Sequence, residues 1–341
     1  MHRVSVAARG PAVAFIRLRR LVPDTAAGEG HADRFLGLAM TPRELERALR
    51  DISRTLRFVH LGEALTALTR GRRMREGAAV LTFDESFAAS IELALPVLRK
   101  LQIPLTLFVT TGHLDGTSTL WDSEVTTIVR GMAPVPLSLP WVDQVLKTDT
   151  RSARAASVRR LLRHLASLDE ERLERRLEEL RTRAGGTCRH DALDRMLTAQ
   201  ELTRLARDPL ITVGAHGHRH VAFASVTGEA LREELAKPRE ILRELCGRSF
   251  ADVVSYPFGR PPYIDEASCA AARAAGYQAA FSAESGVARP GSHLFRLPRI
   301  ALGPNIRAMD AYELQGMSDA IDELLLVATG SQDRIRHELE G

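Results

Sequence analysis

Two short stretches carry most of the chemistry in this sequence. The first, Leu81-Thr82-Phe83-Asp84-Glu85-Ser86, is an apolar run that ends in two adjacent acids. The second, VGAHGHRHVAF over 213–223, is an apolar run that ends in His216, His218 and His220. A catalytic zinc takes about three protein ligands of histidine or carboxylate type and keeps one position open for water. Two histidines and one carboxylate meet that need. Histidines spaced H-x-x-x-H would share one side of a helical turn. The ion lowers the pKa of its water towards about 7 and polarises a carbonyl, and a second carboxylate beside it can take the proton. Paired acids after a strand can also do no more than favour the dipole of a following helix. Acids and histidines together, at the ends of two different strands, point to metal-assisted hydrolysis.

The elements that must position these residues are legible in the hydrophobic pattern. Short β-branched runs predict strands at 12–16, 57–61, 79–83, 104–110, 210–215, 251–256, 278–282 and 297–302. Helical periodicity predicts helices at 41–56, 86–101, 198–208, 228–245, 265–276 and about 308–328. Thr41, Pro42 and Glu44 form a capping signature, and Gly276 suits a helix end. Strand–helix alternation argues for a parallel α/β sheet or barrel, whose functional groups gather at the carboxyl ends of the strands. Residues 114–197 break the rhythm. They hold a proline-rich patch at 131–143 and then arginine/glutamate-rich helices. We therefore divide the chain into a core of 1–113 and 198–341 and a helical insertion or lid of 114–197.

Composition narrows the partners. The chain has 341 residues, 45% hydrophobic and 26% charged, as expected of a folded globular protein. The formal charge of +4 is mild, and the arginines are interleaved with acids, as in DEERLERRLEELRTR at 169–183. With aromatics at only 5%, nucleic acid is not indicated. No apolar run reaches the roughly 18 residues that span a bilayer. The run AVAFI near the N-terminus is too short for a signal-peptide core, so cytoplasmic placement, including the inner face of the membrane, is the expectation. Cys188, Cys246 and Cys269 are far apart and show neither a disulfide framework nor a cysteine zinc site.

At these motifs the chain resembles polysaccharide deacetylases of the NodB-homology type, carbohydrate esterase family four. Their T-F-D-D-G motif appears here as Thr82-Phe83-Asp84-Glu85-Ser86, and their H-[ST]-x-x-H motif as His216-Gly217-His218-Arg219-His220. Ser255-Tyr256-Pro257-Phe258-Gly259 resembles the P-[YF]-G groove motif, and 94–114 and 295–300 resemble connecting segments. The resemblance implies an α/β fold, a distorted, incomplete (β/α) barrel carrying the helical insertion. It implies Asp84 as catalytic base, Glu85, His216 and His220 as ligands to one divalent ion such as zinc, and the Phe258 N–H as an oxyanion donor. The groove would include Tyr256, Pro257, Gly259, Arg260 and His218. The reaction implied is removal of N- or O-acetyl groups from an acetylated sugar, oligosaccharide, or lipid- or nucleotide-linked glycan.

The chain departs from the family pattern at five points, the first of them Ser86 in place of the glycine of the first motif. Glu85 stands where the family has an aspartate. Gly217 replaces a hydroxyl residue, and Ser255 stands where many members have an arginine that orients the base. The late L-x-x-H-D motif, source of the general acid, is absent; His293 and His218 are candidates for that role, and His113 is a further histidine at a strand end. Two alternatives stay open on these grounds: a catalytically silent glycan-binding or scaffold protein on the same fold, and an amidohydrolase for a non-sugar substrate.

Overall fold

A computed structural model of the chain describes residues 12–26, 39–70, 77–184 and 192–303. The helix expected at 308–328 and Cys188 lie outside the described residues. The strands are β1 (Val13–Leu18), β2 (Arg20–Leu21), β3 (Ala39–Met40), β4 (Arg57–Phe58), β5 (Ala78–Asp84), β6 (Leu105–Val109), β7 (Ile211–Ala215), β8 (Phe250–Ser255), β9 (Ala279–Phe281) and β10 (Ile300–Ala301). The helices are α1 (Pro42–Ile52), α2 (Leu61–Arg70), α3 (Ala88–Leu101), α4 (Trp121–Gly131), α5 (Arg151–Leu165), α6 (Glu170–Arg183), α7 (Ala199–Leu205), α8 (Gly228–Cys246) and α9 (Glu266–Ala274). None of them is long and apolar enough to cross a membrane. Each expected strand in the described region is present. The helix expected at 41–56 stops at Ile52 and passes into a turn, and α2 was not foreseen.

All pairings named here in the main sheet are parallel, in the order β10-β1-β5-β6-β7-β8-β9. β4 pairs with the start of β5 on the edge that β6 occupies further along, which distorts the sheet. Every residue of β5 and β6 is buried, as a strand covered on both faces requires. The segment leading into β10 closes the circle. Leu297 bridges Phe281 of β9, and Ile300 pairs with Ile16 of β1. The result is a half-barrel of parallel strands ringed by helices, an incomplete (β/α) barrel.

Alternation along the strands sends side chains to two cores. Outward residues such as Leu81, Leu105, Leu107 and Val213 pack beneath the helices. Inward residues fill the barrel, where Phe281 lies 4.9 Å from Phe15 and 5.3 Å from Phe108 between ring centroids. Between β6 and β7 come α4, α5 and α6. They bury Val125 and Val129, Val158, Leu161 and Leu165, and Leu173, Leu177 and Leu180 at helical spacing. Arg181 of α6 ties to Glu124 of α4 at 2.7 and 2.9 Å. The register brings Asp84, Val109, Ala215, Ser255 and Phe281 to the same end of the sheet.

Candidate active site

At that end a cavity of about 160 Å³ opens, lined by Arg17, Arg19, Asp84, Glu85, His216, His220, Tyr256, Phe258, Arg260 and the backbone after β10. Asp84 is the last residue of β5. In a regular strand its neighbour would point the opposite way. Glu85 instead takes a left-handed conformation (φ 65°), and both carboxylates line the cavity.

Asp84 is buried and gripped from one side. Arg299 donates to its two oxygens at 2.6 and 2.7 Å, to Ser255 Oγ at 2.8 Å and to the Ser282 carbonyl at 2.8 Å. Burial pushes the Asp84 carboxyl upward. The charges of Arg299 and His216 and the Arg299 hydrogen bonds outweigh it and hold the group below the usual carboxylate range. The arginine missing at position 255 is thus supplied from position 299, and the small Ser255 leaves room for it and adds a hydrogen bond.

His216 follows β7 directly. Its Nδ1 lies 2.8 Å from the Ser255 carbonyl. A carbonyl only accepts, so Nδ1 carries the proton and Nε2 presents its lone pair. Residues 216–220 form a turn rather than the helical turn expected from their spacing. Gly217 (φ 73°) and His220 (φ 60°) are left-handed, and this reversal, not a helical pitch, brings the two rings to 5.1 Å. Glu234 of α8, fully buried, fastens the turn. It accepts from the backbone N–H groups of His218 (2.8 Å) and Arg219 (3.1 Å) and from Arg219 Nε (2.9 Å). A β-carbon on Gly217 would lie 3.0 Å from Glu234 Oε2, so the glycine is required by both space and conformation.

His220 is buried, and neither of its ring nitrogens has a hydrogen-bond partner among the described residues. Burial pushes it down to about 3, against the pull of Asp122, and burial lowers His216 as well. Both rings are therefore neutral near pH 7, the form that binds a metal. The Glu85, His216 and His220 ligand atoms lie within 4.8 Å of one another, with Glu85 Oε1 3.5 Å from His220 Nε2. A tetrahedral ion with ligands at about 2.1 Å spaces them about 3.4 Å apart. The residues fit a divalent ion.

Other expected residues divide. Phe258 is left-handed (φ 60°), lines the cavity and packs its ring 5.1 Å from that of His220. Gly259 packs so tightly that a β-carbon there would lie 2.6 Å from Ala283 N. The turn through Pro257 is closed by the Gly259 N–H on the Pro257 carbonyl (2.7 Å). Arg260 lines the cavity and donates to the Ala283 carbonyl at 2.7 Å. Tyr256 reaches the lining but is buried, its hydroxyl donating to the Phe295 carbonyl at 2.9 Å. His218 lies off the cavity, its Nδ1 2.9 Å from Thr111 Oγ1. His113 is off it too, 3.2 Å from Ser118 Oγ. His293 is exposed on a turn and is not brought to the site.

Arg299, Glu234, Arg19 and Asp122 were not foreseen. Three of them carried a signal: Arg299 is a lone charge in the apolar run LPRIAL, Glu234 lies between Leu231 and Leu235 on the buried stripe of α8, and Asp122 shares a face of α4 with Val125 and Val129.

Comparison with known proteins agrees with this geometry. Residues 169–280 match the sequence model of the family described as polysaccharide deacetylase. The deacetylase PplD of Streptococcus pyogenes, solved with acetate, superposes with a TM-score of 0.55 at 15% identity, covering 90% of this chain and 99% of its own. IcaB from Ammonifex degensii gives 0.52 at 17% identity, covering 90% and 98%. A de-N-acetylase from Aggregatibacter actinomycetemcomitans gives 0.52 at 11% identity, covering 86% and 96%. No curated protein sequence matches the chain. The fold is that of the polysaccharide deacetylases, and the resemblance read from the motifs is borne out by family model and fold together.

Proposed function

We propose that this chain removes acetyl groups from a glycan or glycan precursor, with one divalent ion, zinc, held by Glu85, His216 and His220. The observation that carries the reading is the meeting, in one buried cavity, of an arginine-fixed carboxylate with a separate set of three metal-type ligands. When bound, the ion supplies Lewis acidity to the acyl carbonyl and to the attacking water.

The protein's own groups account for the remaining steps. Asp84 stays ionised and fixed, so it accepts the proton of the attacking water. The Phe258 N–H, which donates to no group among the described residues, is the oxyanion donor. Among the described residues lining the cavity, no histidine other than the two ligands is available as general acid. We assign that step to Asp84 as well, which passes the captured proton to the leaving nitrogen or oxygen. The Arg299 pairing that makes Asp84 a weak base makes its protonated form a strong acid, which suits this second step. At about 30 Å³ per water-sized group, the cavity takes an acetyl group and a water and keeps the sugar ring at its mouth. In this reading the ligands belong to the core of 1–113 and 198–341, and the 114–197 insertion meets His220 through the first turn of α4.

The test is acetate release from acetylated chito-oligosaccharides, nucleotide-linked N-acetylhexosamines and lipid-linked acetylated glycans, after zinc loading. The native chain should release acetate from at least one class. Asp84→Asn and His216→Ala should lose about a thousandfold or more. Undiminished turnover in Asp84→Asn would refute the assignment of the base. Binding without turnover across the panel would favour a silent glycan-binding module.

A further inference from the structure

His220 needs a proton acceptor at Nδ1 if its Nε2 is to serve a metal, and the acceptor in place comes from the insertion. Asp122, in the first turn of α4, is buried, and its Oδ1 stands 3.8 Å from His220 Nδ1. Both atoms are buried without a hydrogen-bond partner among the described residues. The other Asp122 oxygen is fixed by Arg19 Nη2 at 2.7 Å. The preceding residue, Trp121, donates its Nε1–H to the His220 carbonyl at 3.0 Å. Of two consecutive residues of α4, Trp121 therefore holds the His220 backbone and Asp122 faces its ring. Arg19 lies between Asp122 and Glu85, with its Nε 3.8 Å from Glu85 Oε2, so one guanidinium spaces the two carboxylates that flank the ring.

We infer that Asp122 is a positioning residue for His220, orienting the ring and its tautomer and raising its basicity toward the ion. A closure of about 1 Å converts the 3.8 Å approach into a hydrogen bond. Carboxylate partners of this kind change metal affinity by about 10- to 100-fold when removed. The inference rests on the metal reading proposed above.

Zinc affinity, measured by competition with a chromophoric chelator on the full chain, tests it. Asp122→Ala should raise the Kd towards a hundredfold. Asp122→Asn, which can still accept a hydrogen bond but carries no charge, should raise it less, about tenfold. The cobalt-loaded variants should show a shifted visible spectrum. In chelator, the metal-free Asn variant should melt near the native temperature, which keeps the test readable if the Ala variant does not fold. An unchanged Kd in the Asn variant, or a lower melting temperature with no change in Kd, would overturn the positioning role and leave the metal site standing. Failure of the native chain to hold zinc would overturn both.

Discussion

Replacing Arg299 by methionine isolates the ion pair that fixes the Asp84 carboxylate. In the native chain the Asp84 carboxylate takes two short hydrogen bonds from this guanidinium, and both groups are buried. Methionine keeps an unbranched stem and removes the charge. Breaking a buried pair from one side costs about 3–5 kcal/mol, because a charge is left behind. Asp84 can escape that cost by taking up a proton. Burial, the largest influence on it, is then no longer outweighed by Arg299, and its pKa moves from below the ordinary value to above it. In the native chain the depressed pKa gives stability that is present above about pH 4 and lost below it. In the variant the raised pKa means that stability falls as pH rises from about 4 up to that raised value. The gap between the two proteins therefore widens by about 1.4 kcal/mol per pH unit over that window. Urea unfolding of the metal-free proteins at pH 5 and 7.5 measures the gap. A loss of about 3–5 kcal/mol at pH 7.5, smaller at pH 5, is expected, with most of it recovered in Asp84→Asn/Arg299→Met. A pH-independent loss under about 1 kcal/mol, or a double variant no better than the single, would refute the claim that Arg299 fixes this carboxylate.

Three further outcomes follow from the turn and its histidines. Gly217→Ala forces an L-residue into a left-handed position against Glu234, at a cost of about 1–2 kcal/mol, and should lower both the melting temperature and zinc affinity; a native-like melt would contradict the strain. Glu234→Gln removes the charge from an acceptor of two backbone N–H groups and should destabilise by about 1–3 kcal/mol in urea, so a change under about 0.5 kcal/mol would show that the turn is held by other means. The metal-free protein should lose stability as pH falls below about 6.5, since unfolded histidines take up protons that folded His216 and His220 refuse. His220→Gln should flatten that slope, and an unchanged slope would assign it to other groups.

The parts of the site that the sequence disclosed are those that act locally. Asp84 and Glu85 end an apolar strand, and His216 and His220 end another, so the rule that function collects at carboxyl ends brought them together before any coordinates. The strands were legible for the same reason, since burial on both faces leaves an uninterrupted apolar run. The supporting residues act across distance. Arg299 reaches Asp84 over 215 positions, and Asp122 faces His220 from a segment that reads as an insertion. Each is a charge on an apolar stripe, which marks burial but does not name the partner. The His-x-x-x-His spacing misled on mechanism: helical pitch gave the right pair of rings for the wrong reason, because left-handed residues at Gly217 and His220 do the folding back. His293 drew notice as a spare histidine near the groove motifs, yet its turn holds it in solvent.

The closure of the barrel by the segment around Arg299 also orders events on the ribosome. Asp84 is synthesised early, and β5, β6 and β7 can pair long before position 299 emerges. Until it does, the gap between β9 and β1 stays open and Asp84 has water, rather than Arg299, as its solvating partner. Sealing the gap and neutralising the acid are then one step, since Leu297 and Ile300 carry Arg299 between them. A chain cut short of that segment keeps all three metal-type ligands and an acid whose orientation nothing on the β10 side restrains. In such a fragment the three ligand-type side chains and the Asp84 carboxylate are no longer fixed by the same closing step.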